Sequence, residues 1–290
     1  MPAVLPRGHA IFRRLMSVAV ACLLGIVQGL TEFLPVSSTA HLYIVQWLLG
    51  IRNDEITLAF DVVLHLGTVA ALLLVFARDL LAIVEELFLW ISGRPARDPQ
   101  ARAVILPLVI GTIPGVLAGL FLLKRIEKVR TLGLIGVSML VACAFFLFAE
   151  WKGARAPRQR GLAEIRTADA IWIGLAQAAA GLMAGFSRSG FTISTGRLRG
   201  FERPAAARFS FLLAIPIILG AGAKALLDLR KAQEPAGSAP VLAAGFLCAA
   251  VSGFLVVRFL LRYLRTNTLR PFAWYLGVLG LVLLAVSLTR

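Results

Sequence analysis

Six stretches of this chain, near residues 56–77, 102–123, 131–150, 205–227, 240–261 and 272–289, are apolar almost throughout. A helix needs about 20 such residues to cross the roughly 30 Å hydrocarbon layer of a bilayer. Hydrocarbon cannot satisfy a backbone N–H or C=O, so a chain in it must satisfy them itself, as a helix or a closed barrel. Runs of this length and continuity predict helices, and hence an all-α polytopic membrane protein forming a single membrane domain over 1–290. The composition agrees, with 59% hydrophobic and 16% charged residues, far less charge than a soluble domain carries. A net charge of +15 on a soluble protein would suggest nucleic acid. Here the basic residues lie between apolar runs, where they set topology and meet anionic headgroups, so the expected contacts are membrane lipids and no nucleic acid. Cys22, Cys143 and Cys248 stand far apart in apolar runs and read as small core residues rather than a disulfide or metal framework.

Two further apolar regions, 17–50 and 169–199, differ from the six. Each consists of two short apolar pieces around a polar, Gly- or Pro-marked break, and neither piece spans comfortably. Each therefore predicts a re-entrant helix–loop–helix. The regions also resemble each other. At an offset of 149 residues Gly25 meets Gly174, Gln28 meets Gln177, Ser38 meets Ser187 and Phe60 meets Phe209. Paired broken segments in two halves point to a site at the membrane midplane. The expected plan is six spanning helices plus two re-entrant segments in an inverted repeat, with repeat one at about 17–123 and repeat two at about 169–261. Residues 79–92, with Glu85 and Glu86 beside Leu87, Phe88 and Trp90, read as interfacial. The amino terminus imitates a signal peptide, with Arg7, Arg13 and Arg14 before "LMSVAVACLLGIV", but its apolar run continues directly into the first break and is kept as part of the protein. If each re-entrant loop returns to its own side, the two sides carry eleven and sixteen lysines and arginines. The second, with the 152–166 and 197–208 loops, is then cytoplasmic. Both termini face outward, and the loops enter from opposite faces.

The breaks hold the chemistry. In "AGFSRSGFTIS", residues 184–194, Arg188 is a guanidinium at membrane depth, which calls for a partner or an anionic ligand. Ser187, Ser189, Gly190 and Thr192 surround it, supplying hydroxyls, backbone N–H groups and a helix N-terminus, so the group reads as a phosphate cradle. The bland reading is an arginine snorkelling to headgroups. In "GLTEFLPVSSTAHL", residues 29–42, Glu32 could hold a divalent cation or act as a base. Ser38 could be a nucleophile activated by His41, which shares its helix face at i+3. Ser37 and Thr39 add hydroxyls, although one of the three could simply cap the next half-helix. Asp61 and His65, at i and i+4, could line the same cavity. His65 reads as a buried, hydrogen-bonded residue, and Lys224 and Glu150 read as snorkelling near helix ends.

"QGLTEFLPVSSTAHL" and "GFSRSGFTIS", followed by "FSFLLAIPIILGAG", closely resemble the undecaprenyl-pyrophosphate phosphatase family, also called bacitracin-resistance proteins. The resemblance covers nearly the whole chain. It implies an integral membrane phosphatase of the bacterial inner (cytoplasmic) membrane, with a catalytic cavity open to the outer face. Such an enzyme removes the terminal phosphate of undecaprenyl pyrophosphate with the help of a divalent cation, magnesium or calcium, and so regenerates the lipid carrier for cell-wall synthesis. Carried over by position, the family's glutamate-rich motif falls on Gln28 and Glu32, which become the metal residues. Its serine and histidine fall on Ser38 and His41, and its Ser-Arg-Ser and later threonine on Ser187, Arg188, Ser189 and Thr192. Glu32, Ser38, His41 and Arg188 are the expected catalytic residues. Gln28, Ser37, Thr39, Ser187, Ser189, Gly190 and Thr192 are expected to bind substrate. Three positions depart from the pattern: Gln28 in place of an acid, Ala184 where a proline is usual, and Arg208 where some relatives carry an acid. Arg208 is expected to touch headgroups. The principal alternative is a transporter that flips a polyprenyl phosphate without hydrolysis, and a third is a non-catalytic lipid binder. A homodimer is left open.

Overall fold

The computed structural model describes residues 16–51, 55–121, 131–232 and 238–289. Along them run α1 (Val18–Phe33), α2 (Ser38–Leu48), α3 (Glu55–Val75), α4 (Ala77–Ile91), α5 (Pro99–Phe121) and α6 (Leu132–Gly153). Then follow α7 (Thr167–Gly181), α8 (Arg188–Leu198), α9 (Arg203–Ala232), α10 (Ala239–Tyr263) and α11 (Arg270–Leu288). Six of these, α3, α5, α6, α9, α10 and α11, are long and apolar enough to cross a membrane, and they fall on the six runs expected. The protein is an all-α, multi-pass membrane protein.

The remaining pieces flank the two breaks. At 16 residues, α1 is only about 24 Å long at 1.5 Å per residue, and α2, α7 and α8 are shorter still. Pro35 ends α1 by disfavouring helical backbone at the residue before it, and Leu34 is indeed extended (φ −61°, ψ 141°). In the second break Ser187 caps α8, its Oγ accepting the Gly190 N–H at 3.2 Å.

The closing helix of each half lies against the broken helix of the other: α10 packs along α1 and α3, and α5 packs along α7. The glycines aligned by the 149-residue offset sit at these crossings. A Cβ at Gly25 would collide with the Gly245 carbonyl of α10, and one at Gly174 with the Gly111 carbonyl of α5. Phe60 and Phe209, aligned by the same offset, are both buried. The second half departs from the first at one position. Gly67 of α3 admits the Phe246 carbonyl of α10, whereas the residue 149 further on is Pro216 of α9. A proline cannot donate the helical hydrogen bond and pushes against the preceding turn. Here α5 and α9 leave a groove of about 430 Å³ between them, lined by Leu108, Val109, Thr112, Ile113, Val116 and Leu117 on α5 and by Pro216.

The segment read as interfacial forms α4. Leu81, Val84, Phe88 and Ile91 are exposed along one stripe, while Glu86 on the other side accepts the Arg97 and Asp98 N–H groups at 2.7 Å and Arg102 Nε at 2.8 Å. The bond from the Asp98 N–H, with those from Arg97 and Arg102, holds the Glu86 carboxyl below the usual range against the upward push of burial. One expectation fails. Glu150 does not snorkel: it is 1% exposed, takes both Nε and Nη2 of Arg203, and accepts the Leu269 N–H at 3.0 Å. Its partners lie on α9 and before α11, too far along the chain for local spacing to show. Arg208, about two-fifths exposed at its side chain, pairs with Asp79 and ties α9 to α4. The signal-peptide-like segment 1–15 lies outside the described residues, as do Arg52, residues 124–130 and Arg290 on the first side of the charge count.

Candidate active site

The two breaks meet at one ion pair. Arg188, first residue of α8, donates from Nη2 to Glu32 Oε1 at 2.8 Å, and Ser189 donates to the Leu34 carbonyl at 3.2 Å. Glu32 stands on the last turn of α1 and is 7% exposed. Its other oxygen, Oε2, accepts the Ser38 hydroxyl at 2.6 Å and Gln28 Nε2 at 3.1 Å. His65 of α3 brings Nε2 to 3.5 Å from the same oxygen. A carboxylate this deep is tolerated because every side of it faces a donor or a cation.

Three polar atoms around this pair are buried without a partner: Arg188 Nη1, Gln28 Oε1 and the Ser37 hydroxyl. Buried polar groups are nearly always paired, so a cluster of unpaired ones marks a place for something else to bind. The guanidinium N–H and the hydroxyl suit an anion, and the carboxamide oxygen suits a hard cation. Ser37 also carries backbone strain, with φ at +71° and ψ at 92°, a conformation that non-glycine residues hold only where their surroundings enforce it.

The residues expected from the sequence divide by place. Glu32, Gln28, Ser37, Ser38 and Arg188 come together around the ion pair. Ser187 and Ser189 lie 3.2 Å apart at the start of α8. Gly190 stands where a Cβ would run into the Phe146 ring, so its backbone is pressed against α6. Thr39 is half-buried in the first turn of α2. Thr192 is turned inward: its hydroxyl engages the Arg188 and Ser189 carbonyls and Ser210 of α9, which fixes the first turn of α8 rather than offering a donor to substrate. Asp61 accepts from Gln46 Nε2 at 2.7 Å, and its carbonyl meets His65 Nδ1 at 2.7 Å.

The expected Ser38–His41 pair does not form. Ser38 opens α2 and turns its hydroxyl back to α1, where Glu32 receives it. His41 instead binds the Ser37 carbonyl through Nδ1 and the Tyr275 hydroxyl through Nε2, each at 2.7 Å. Tyr275 of α11 is the residue the sequence did not single out. In "PFAWYLGVLG" it has the look of an interfacial aromatic, and no local spacing links it to His41.

As a metal centre the site is lean. Among the described residues there is no group of three or more His, Cys, Asp or Glu placed to hold an ion. One carboxylate and the unpaired Gln28 oxygen fit a magnesium- or calcium-type ion that takes the rest of its ligands from phosphate and water.

These features define a polytopic helical membrane protein whose acid, arginine and serine assemble where two interrupted helices meet. A sequence model described as "Bacitracin resistance protein BacA" matches residues 21–282. The undecaprenyl-diphosphatase of Thermomicrobium roseum is 43% identical over 280 residues, covering 93% of this chain and 98% of that protein. Those of Myxococcus xanthus and Geobacter sulfurreducens are 44% and 40% identical, covering 94% and 95% of this chain and 90% and 100% of their own lengths. The chain belongs to the bacitracin resistance protein BacA family.

Proposed function

We propose that this chain hydrolyses undecaprenyl pyrophosphate to undecaprenyl phosphate and inorganic phosphate, recycling the lipid carrier for cell-wall synthesis and conferring bacitracin resistance. The observation that carries the reading is the Glu32–Arg188 pair, with a serine hydroxyl on the carboxylate and an unpaired guanidinium N–H beside it. Arg188 Nη1 and the Ser37 hydroxyl would hold the pyrophosphate and meet the charge that grows in the transition state. Ser38 Oγ attacks the terminal phosphorus while its proton passes to Glu32 Oε2. The bond to the bridging oxygen breaks, and its electrons leave on the lipid phosphate. Water then attacks the phosphoserine and releases inorganic phosphate, with the proton on Glu32 returning to Ser38. This places Glu32, rather than His41, as the base for Ser38, because that is the contact present.

A divalent cation, magnesium or calcium, would be held by Glu32 and Gln28 Oε1 and would neutralise charge on the phosphate oxygens. The groove between α5 and α9, apolar throughout apart from the Thr112 hydroxyl, itself bonded to the Leu108 carbonyl, would take part of the prenyl chain. The two halves, 17–123 and 169–261, are read as an inverted repeat in the bacterial inner membrane, with the cavity open to the outer face. The glycine crossings support the repeat, and the charge count supports the orientation. Interrupted helices are also transporter architecture, which leaves the flippase as the second reading. Purified protein in detergent separates them: release of phosphate from the lipid pyrophosphate, with no membrane to cross, supports hydrolysis, and its absence with divalent cation supplied sinks it.

A further inference from the structure

His41 is held at both ring nitrogens, and the identities of its partners fix where its proton sits. The Ser37 carbonyl, 2.7 Å from Nδ1, can only accept, so Nδ1 carries the proton. Nε2 is then the lone pair, and the Tyr275 hydroxyl at 2.7 Å donates to it. Both partners are themselves constrained. The Ser37 carbonyl is aimed by the left-handed backbone of that residue (φ +71°). The Tyr275 ring lies almost parallel to the imidazole, at 14° with centroids 5.7 Å apart. Helix α11, whose Ala273 and Leu276 share an apolar cluster with Val36, Ala40 and Phe191, thus reaches across 234 residues of sequence to hold His41.

We infer that Tyr275 is a positioning residue for the hydrolysis: its hydroxyl holds His41 in the Nδ1–H tautomer and sets the direction of the Nε2 lone pair. With both ring nitrogens committed, His41 moves no proton itself; it holds the Ser37 carbonyl, and with it the strained turn that carries Ser37 and Ser38, and Tyr275 fixes the ring that does so. The inference rests on the hydrolase reading. If that reading fails, the wild-type protein releases no phosphate at all; failure of the present inference leaves the wild type active.

Tyr275→Phe keeps the ring and its stacking and removes only the hydroxyl. The expected result is a kcat lowered about tenfold, the effect of one hydrogen bond, with KM unchanged within about twofold. His41→Ala should lower kcat further, and adding Tyr275→Phe to it should lower kcat no more, because the hydroxyl acts only through the imidazole. Normal turnover by Tyr275→Phe would overturn the inference. So would the same tenfold loss in the His41→Ala background, which would show a tyrosine acting on its own or as a bolt between α2 and α11. A second measurement reads the protonation of the ring rather than turnover. In protein labelled with ¹⁵N-histidine, the resonances lost in His41→Ala should show a protonated Nδ1 and an unprotonated, hydrogen-bonded Nε2. A proton on Nε2 alone would overturn the assignment.

Discussion

Arg188 is the sharpest place to break the site, because the structure gives its two terminal nitrogens different tasks. Nη2 neutralises Glu32 at 2.8 Å, and Nη1 is buried with no partner. Arg188→Ala removes both. Removing a preorganised donor to the transition state costs about two to three orders of magnitude in turnover, so kcat/KM should fall by about that much, while breaking a buried pair from one side costs about 3–5 kcal/mol of stability and lowers Tm. Part of that loss is Glu32 left without its cation. Arg188→Lys restores the charge but not the planar fork, and a single ammonium that stays with Glu32 cannot also reach the position Nη1 holds. The missing charge-assisted hydrogen bond is worth about 1.5–3 kcal/mol, so the lysine variant should remain about 10- to 150-fold below wild type. The assay is release of labelled phosphate from a polyprenyl pyrophosphate in detergent, with cation at saturation and thermal unfolding recorded for each variant. A lysine variant within threefold of wild type would mean that a point charge is enough and that Nη1 has no ligand.

Ser38→Ala should reduce turnover far more than Ser37→Ala, because only Ser38 lies on the Glu32 carboxylate, and a quenched reaction should show label on Ser38. Substantial activity in Ser38→Ala would favour direct attack by water. Gln28→Glu should lower the half-saturating cation concentration while making activity more sensitive to acid, since two adjacent carboxylates resist ionising together without the ion; a cation requirement that does not move removes Gln28 from the ligand set. Val116→Trp, filling the groove between α5 and α9, should raise KM several-fold for a long-chain pyrophosphate and leave a two-isoprene substrate unaffected; equal effects on both would place the chain elsewhere. Burial alone would raise the Asp169 pKa, but bonds from Arg160, Arg199 and the Arg166 N–H outweigh it and hold the carboxyl below its usual range. Its contribution is therefore full above the unfolded value of about 3.9 and is lost as pH falls through the folded value. Asp169→Asn should cost roughly 1–3 kcal/mol at neutral pH, read as a lowered Tm, and progressively less as pH falls through the folded value.

The spans and both breaks were legible because each is a local property: continuous apolar length in one case, Pro35 or a Gly–Ser cluster in the other. Arg188 stood out for the same reason, as a charge at a depth where charges are costly. What stayed hidden is tertiary. The i, i+3 spacing of Ser38 and His41 describes a shared helix face, but Ser38 is the first residue of α2 and its hydroxyl faces back across the break, where Glu32 outcompetes an imidazole. Glu150 is near a helix end, as a snorkelling acid would be, yet Arg203 lies 53 residues on and its pairing leaves no trace in local pattern.

The offset between the halves carries a physical reason for the site's asymmetry. It places Gly181 opposite Glu32 and Thr39 opposite Arg188, so the carboxylate belongs to one half alone and the guanidinium to the other. Two copies of either charge would meet at the same centre as like charges in a medium of low dielectric, where repulsion is strongest. One of each neutralises the pair and joins the two breaks, while the scaffold positions remain duplicated. Gln28 and Gln177 show the boundary between the two demands. Both are buried one turn before a break, but only Gln28 has an acid beside it to bond, and both amide atoms of Gln177 are left without a partner.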